Sequence, residues 1–312
     1  MLRVICLAGL VTAGVGLTLT VAAFEAQEER PAIETIQVTG NLWMLGSEGD
    51  AGEGMRTGGN TALFVADSGV VLVDTKLEGY GEAIMAEVRR VTDRPVTHII
   101  NTHTHFDHSG SNTEFPDTVE FVAHENIRRA MARDDCQPVP TNCDDFQGEN
   151  AKYLPSTTFS DRLTLFSGAD AIDLYHFGPG HTDGDTFIVF RESRAMHTGD
   201  MFLGKFAPFI DAQNNNGGSA SEFGQTLNRV LANVPDVDTI ITGHWHTPLV
   251  WSDLQDYARF YNDLVDQARQ SQAAGRSADE AAAAYALPDD LEEYSVTGQS
   301  VRPIIGYLYE GR

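Results

Sequence analysis

Cysteine is scarce, with three in 312 residues. Cys6 lies in an apolar N-terminal run, while Cys136 and Cys143 stand seven apart in a stretch rich in Pro, Asp and Asn. That spacing offers no CxxC knuckle for structural zinc, and no cysteine sits where it would serve as a nucleophile. Basic residues are also few: 21 Lys and Arg against 45 Asp and Glu leave a formal charge of −24. Such a chain repels phosphate backbones, and it has no Lys/Arg cluster to form a basic groove, so nucleic acid is excluded as a partner. Also missing are a GxGxxG or P-loop in usable context, a Ser/His/Asp triad, a short-period repeat, and any low-complexity tract beyond the alanines at 281–284. A small molecule is the partner that remains.

One long apolar run is present, at residues 4–21. It follows Met1-Leu2-Arg3 and ends in Val21-Ala22-Ala23, the pattern of a positive n-region, an h-region and a small-residue cleavage site. Residues 1–23 are therefore predicted to be a signal peptide, the competing reading being a membrane anchor of nearly spanning length. Export would place the protein in the periplasm or outside the cell, with no stable anchor once the signal is cleaved. In that oxidising setting Cys136 and Cys143 are expected to close a local disulfide, the alternative being two free surface thiols. Residues 24–32 are polar and expected to be flexible. Residues 33–312 then form one domain, since no linker divides them.

Within that domain, apolar alternation and turn residues predict strands at 33–38, 41–45, 61–66, 70–74, 96–101, 119–123, 163–166, 171–177, 186–190, 195–198, 239–242 and 301–308. Helical spacing covers 82–91, 126–133, 221–233, 253–272 and 277–286, with Ser219 or Ser221 as N-cap of the third. Residues 46–59, with six glycines, read as a mobile flap. Strands in two runs punctuated by helices indicate two β-rich halves in one α/β domain.

The densest chemistry is His103-Thr104-His105-Phe106-Asp107-His108, directly after the apolar run at 96–100. In extended backbone, residues two apart point to one side, so His103, His105 and Asp107 can converge. His108 breaks that parity, as a loop or helix start would allow. Burying such a cluster is costly unless something neutralises it, and a divalent cation does so. Three further candidates each follow an apolar strand and a glycine: His181 after Gly180, Asp200 after Gly199, His244 after Gly243. Glycine there lets the backbone turn sharply and present the next side chain to a shared cleft. Together these are five histidines and two carboxylates, a set suited to two ions. The other histidines read as structural, with His246 worth watching because it lies two residues beyond His244.

These residues resemble the metallo-β-lactamase superfamily: its HxHxDH motif, the Gly-His-Thr segment, the Thr-Gly-Asp turn and the later Gly-His, in order over residues 36–247. Val71-Leu72-Val73-Asp74-Thr75 is similar to the family's first motif. The resemblance implies an αββα sandwich of the metallo-β-lactamase type, with the metal site at one edge of the two sheets. It implies two zinc ions, one held by His103, His105 and His181, the other by Asp107, His108 and His244. Asp200 would bridge them and Asp74 would orient the ligands. Asp107, His181 and Asp200 are then the groups at the reacting centre, and a hydroxide shared by the ions would attack a carbonyl or phosphorus.

The substrate is less legible. The best-known secreted zinc β-lactamases carry Cys where this chain has Asp200, or manage without a bridging carboxylate, whereas Asp200 with the full HxHxDH is similar to the superfamily's thioesterases and lactonases. The leading expectation is an exported hydrolase of an amide, lactone, ester or thioester. An iron-dependent oxygenase or redox enzyme, a zinc β-lactamase proper, and a non-catalytic zinc-binding protein stand as alternatives. Lys205, Phe206, Phe209, His246 and the 46–59 flap are candidate pocket walls, Lys205 as a partner for a substrate carboxylate.

Overall fold

The computed structural model describes residues 31–48, 56–135 and 141–312. The signal peptide expected at 1–23, most of the 24–32 segment, the centre of the glycine-rich stretch and Cys136 lie outside the described residues, and with Cys136 the expected disulfide. Cys143 itself is buried.

The first sheet runs in chain order through β1 (Ile33–Thr39), β2 (Leu42–Ser47), β3 (Thr61–Ala66), β4 (Gly69–Val73), β5 (Val96–Ile100), β6 (Glu120–His124) and β7 (Thr157–Phe159). Its first four strands are antiparallel, and β4 to β7 are parallel. The second sheet has the order β13 (Leu249–Val250), β12 (Thr239–Ile241), β11 (Ala195–His197), β10 (Phe187–Phe190), β9 (Ile172–Tyr175) and β8 (Arg162–Leu165). Helices α1 (Gly81–Val91), α2 (Phe106–Ser109), α3 (Glu125–Met131), α4 (Ala220–Asn233), α5 (Trp251–Ala273), α6 (Ala278–Ala284) and α7 (Gly298–Glu310) complete the order.

Side-chain parity builds the layers. In β4, Val70 and Leu72 pack with Ile84 and Val88 of α1, while Val71 and Val73 pack with Ile188 and Phe190 of β10. In β10 the same alternation sends Phe187 and Val189 to the opposite side, with Phe223 and Leu227 of α4 and Tyr257 of α5. Both strands are covered on both faces, which is why they read as continuous apolar runs. Helix, sheet, sheet and helix thus stack as the αββα sandwich expected from the motifs.

Local signals set most boundaries. Ser219 caps α4, its Oγ accepting the Glu222 amide at 3.3 Å. The hairpin between β3 and β4 turns at Asp67-Ser68. Two corrections concern strands and helices. Residues 301–308 are helical, within α7: Val301, Ile304 and Ile305 form the buried stripe, and Thr297 caps the helix by accepting from the Ser300 amide. Their branched and aromatic side chains favour a strand locally, but packing against α5 and α6 decides otherwise. The short strands β7 and β13 carry too little apolar pattern to be seen in sequence. A third correction concerns the glycine-rich stretch: Gly46 and Ser47 finish β2, and Thr57, Gly58 and Gly59 are buried, so both described ends are fixed parts of the fold.

Candidate metal centre

Four strand ends or the turns beyond them meet at one edge of the sandwich. The chain leaves β5 at Ile100, runs through His103 and His105 in irregular backbone, and enters α2 with Asp107 and His108. That short helix is the parity break read from the sequence: it carries His108 into the second group of inward-facing side chains, with Asp107. His181 comes from the β9–β10 connection, Asp200 from the turn after β11, and His244 from the turn after β12.

The side chains fall into two groups, each able to offer one atom per residue within 4.8 Å: His103, His105, His181 and Asp200, and then Asp107, His108 and His244. Asp200 faces both. Its Oδ1 lies 3.2 Å from His108 Nε2 and 3.4 Å from His244 Nε2, and its Oδ2 lies 3.6 Å from His181 Nε2 and 3.9 Å from His103 Nε2. Asp107 Oδ2 is 3.4 Å from His244 Nε2. Two glycines make this closeness possible. A Cβ on Gly243 would lie 2.0 Å from Asp200 Oδ1, and one on Gly59 would lie 2.1 Å from His108 Cε1.

Four rings are held from behind through the nitrogen that faces away from the centre. His103 Nδ1 meets Thr102 Oγ1 at 2.9 Å, His105 Nε2 meets Asp211 Oδ2 at 2.9 Å, His108 Nδ1 meets Asp74 Oδ2 at 2.7 Å, and His181 Nδ1 meets the Phe209 carbonyl at 2.7 Å. This outer layer fixes each ring's orientation and leaves the other nitrogen inward, as ligating histidines require. Asp74 also accepts from the Thr102 amide and hydroxyl at 2.8 and 2.7 Å, so one buried carboxylate ties β4 to the metal loop.

The inward atoms do not satisfy one another. His103 Nε2 and Asp200 Oδ1 are buried without a hydrogen-bond partner. His105 Nδ1 faces His181 Nε2 at 2.9 Å, two nitrogens whose rings already bond outward to Asp211 and to the Phe209 carbonyl, so both call for an electrophile between them; His108 Nε2 faces His244 Nε2 at 3.3 Å. Burial, with repulsion from neighbouring rings, holds His103 well below its usual value and His181 down to about 4. These rings are therefore neutral, the form that ligates a metal. Against its own burial, Asp200 is held well below the carboxylate range by His244 and His108, while burial of His108 is outweighed by Asp200, Asp107 and Asp74, which raise that ring. A buried donor set of nitrogens and carboxylate oxygens with orphaned atoms fits divalent cations.

Two residues of this architecture have no sequence signal. Asp211 is buried, and although burial pushes its carboxyl up, hydrogen bonds from His105 and Asn216 hold it down to about 2. Asp211→Ala leaves the outer nitrogen of His105 unheld, so metal affinity is expected to fall about 10–100-fold in competition with a chelating dye. Lys76 is fully buried, its Nζ donating to the Gly59 carbonyl at 3.0 Å and Thr57 Oγ1 at 3.1 Å, so it fastens the end of the glycine-rich stretch beneath His108. Burial holds its amine down to about 7 from 10.5, against a smaller upward pull from Asp74. Between those values the unfolded chain binds more protons, so this contribution to stability is full above 10.5 and lost as pH falls through about 7. The melting temperature of the metal-free protein is expected to rise from pH 7 to pH 9 relative to that of Lys76→Met.

The pocket candidates fare differently. Lys205 Nζ sits 3.0 Å from Asp253 and 2.7 Å from Glu293, so it is already paired with two carboxylates. Phe206 packs on Trp245, and His246 also lies against Trp245, outside both metal groups. Phe209 borders the centre, its ring 5.8 Å from that of His181 and 6.0 Å from that of His105. Of the histidines read as structural, His197 is buried, accepting the Gly199 amide and facing the Asn60 carbonyl, and so steadies the turn that presents Asp200.

Known proteins resemble this chain in sequence and in fold. The family model described as metallo-beta-lactamase superfamily matches residues 54–247. The 2,4-dinitroanisole O-demethylase subunit alpha of Nocardioides sp. (strain JS1661) is 30% identical over 183 residues, 55% of this chain and 47% of that one. The chain thus spans about half the length of this curated relative. Among solved structures, a metallo-beta-lactamase from Pontibacter korlensis aligns with TM-score 0.58 and 16% identity over 74% of this chain and 99% of its own. A double mutant of the sec-alkyl sulfatase PisA1 aligns with TM-score 0.65 and 15% identity over 89% of this chain and 50% of its own. At such identities these likenesses speak for the fold, and no helix among the described residues is long and apolar enough to cross a membrane. The motif set, the sandwich and the family match agree: this chain belongs to the metallo-β-lactamase superfamily.

Proposed function

We propose that this chain is an exported, dinuclear zinc-dependent hydrolase that cleaves an amide, lactone, ester or thioester of a small molecule. The observation that carries the reading is the Asp200 carboxylate, one oxygen turned to each group of inward-facing nitrogens. His103, His105 and His181 would hold one ion, Asp107, His108 and His244 the other, and Asp200 would be shared. Two such ions, when bound, acidify a water to a pKa of about 7 and polarise the bond to be cleaved.

The chain's own groups supply the rest. Asp107 is the most exposed carboxylate of the set, its side chain 19% accessible against 5% for Asp200. Its Oδ2 is therefore placed to take a proton from the attacking water and return it to the leaving group. His103, His105, His108 and His181 hold their geometry through the buried outer layer, so little reorganisation of these rings is needed as charge develops. Lys205, occupied by two carboxylates, offers no cation to a substrate carboxylate, which argues against a β-lactamase proper.

A second reading rests on the O-demethylase relative: hydrolysis of an activated aryl methyl ether, in which water and the ether give a phenol and methanol. The test of both is a panel of chromogenic cephalosporin, lactone, thioester and ester substrates together with 2,4-dinitroanisole, assayed on zinc-loaded protein with and without chelator. Chelator-sensitive release of a carboxylic acid from one class supports the first reading, and release of 2,4-dinitrophenol supports the second. Iron as the bound metal, with turnover that consumes oxygen, would overturn both. Export rests on residues 1–23, and N-terminal sequencing of protein from the periplasmic fraction is expected to begin at Phe24.

A further inference from the structure

We propose that the groove between the Phe209 loop and α7 seats an apolar, aryl-bearing part of the substrate, with Phe209 as its specificity-determining residue. The proposal deepens the hydrolase reading and rests on it for the word substrate. Phe209 is 50% exposed, and only Val250 shares that condition among the large apolar side chains of the described residues. This ring stands beside the inward-facing histidines, 5.8 Å from that of His181 and 6.0 Å from that of His105. Its carbonyl accepts from His181 Nδ1, so the residue belongs at once to the frame of the centre and to its rim.

From Phe209 a groove of about 360 Å³ runs past Pro208 to Ile304 and Tyr307 of α7, and the one hydroxyl on its walls besides that of Tyr307 is Ser300. A cavity of about 150 Å³ holds benzene, so this volume takes a phenyl ring with a short chain. Both walls are fixed. Lys205 is bound to Asp253 of α5 and to Glu293, and the Lys205 carbonyl accepts the Ser295 amide at 2.8 Å, which pins the start of the loop to the segment leading into α7. The groove is therefore preformed, and binding there loses little to ordering. Its walls carry no charged side chain, and the chain's charge of −24 disfavours an anionic occupant, so the fitting group is neutral and apolar. Continuity with the centre through Phe209 selects a substrate group over a protein partner.

The test uses the purified chain and two readouts. The neutral fluorescent dye N-phenyl-1-naphthylamine requires neither metal nor turnover. One saturable dye site is expected, weakened about tenfold or more by Phe209→Ala and by Tyr307→Asp, since a buried ring contributes on that scale. With zinc bound, kcat/KM for methyl 4-phenylbutyrate is expected to exceed that for methyl acetate about 10–100-fold, with the ratio falling toward one in both variants through KM. Dye binding indifferent to both variants overturns the proposal, as does an affinity that falls with protein concentration, which would mean that a second copy covers the groove. Variant-sensitive dye binding with a ratio near one for the two esters in the unaltered protein overturns the groove's role as a substrate subsite, whereas turnover of neither ester and of no class in the panel above removes the hydrolase reading instead.

Discussion

Asp200→Ala is expected to reduce saturating zinc from two equivalents to one or none and to lower kcat/KM by about 10³-fold or more. The size follows from where the carboxylate stands. Its two oxygens lie 3.2–3.9 Å from four ring nitrogens, two in each group, and no other described residue faces both. Removing a single preorganised electrostatic partner from a water-poor site typically costs about 10²–10³-fold, and here the two proposed cations would lose the anion between them. Asp200→Asn keeps the shape and removes the charge, so it separates steric from electrostatic loss. If Asn restores zinc binding to two equivalents but not turnover, the charge acts on the reaction and the shape holds the ions. Zinc by elemental analysis and initial rates on the same preparation give both answers.

Asp74→Asn is expected to weaken zinc about 10–100-fold and to destabilise the metal-free fold by about 3 kcal/mol. Asp74 sits at φ 63°, a left-handed conformation that asparagine tolerates, so the backbone survives the change. The carboxylate does not. Both oxygens now accept, from the Thr102 amide and hydroxyl and from His108 Nδ1, all fully buried. An amide turns one acceptor into a donor and sets it against the Thr102 amide or the His108 ring. A buried donor left facing a donor costs about 1–3 kcal/mol, and loss of a buried charge partner costs about 3–5 kcal/mol. The ring of His108 then loses the group that fixes its tautomer, the origin of the affinity loss. Thermal melts with and without zinc divide the two effects.

How much of this was legible depended on distance along the chain. His103, His105, Asp107 and His108 stand within six residues, so proximity along the chain brings them together, and the break in parity at His108 coincides with the start of α2. His181, Asp200 and His244 lie far apart, but each repeats one local context, a strand end followed by glycine, and that repetition marks them. Asp211 has no such mark. Its tie to His105 spans 106 positions, and an aspartate before a run of asparagines reads as a loop residue. Lys76 reads as a solvated lysine after a strand, and only the packing of residues 57–59 over it shows otherwise. The pairing of Lys205 was hidden for a related reason: its partners Asp253 and Glu293 come from the C-terminal helical region, whose path cannot be foreseen. The same region hid α7, where tertiary packing overrides a strand-like local sequence.

The central claim is a two-ion centre shared through Asp200, and metal stoichiometry tests it most directly. Metal-free protein is titrated with zinc, and bound ion is counted by elemental analysis after removal of free metal. Two equivalents bound tightly, with activity appearing as the second is filled, is the expected result. Saturation at one equivalent or fewer, or activity that persists in metal-free protein, would contradict it.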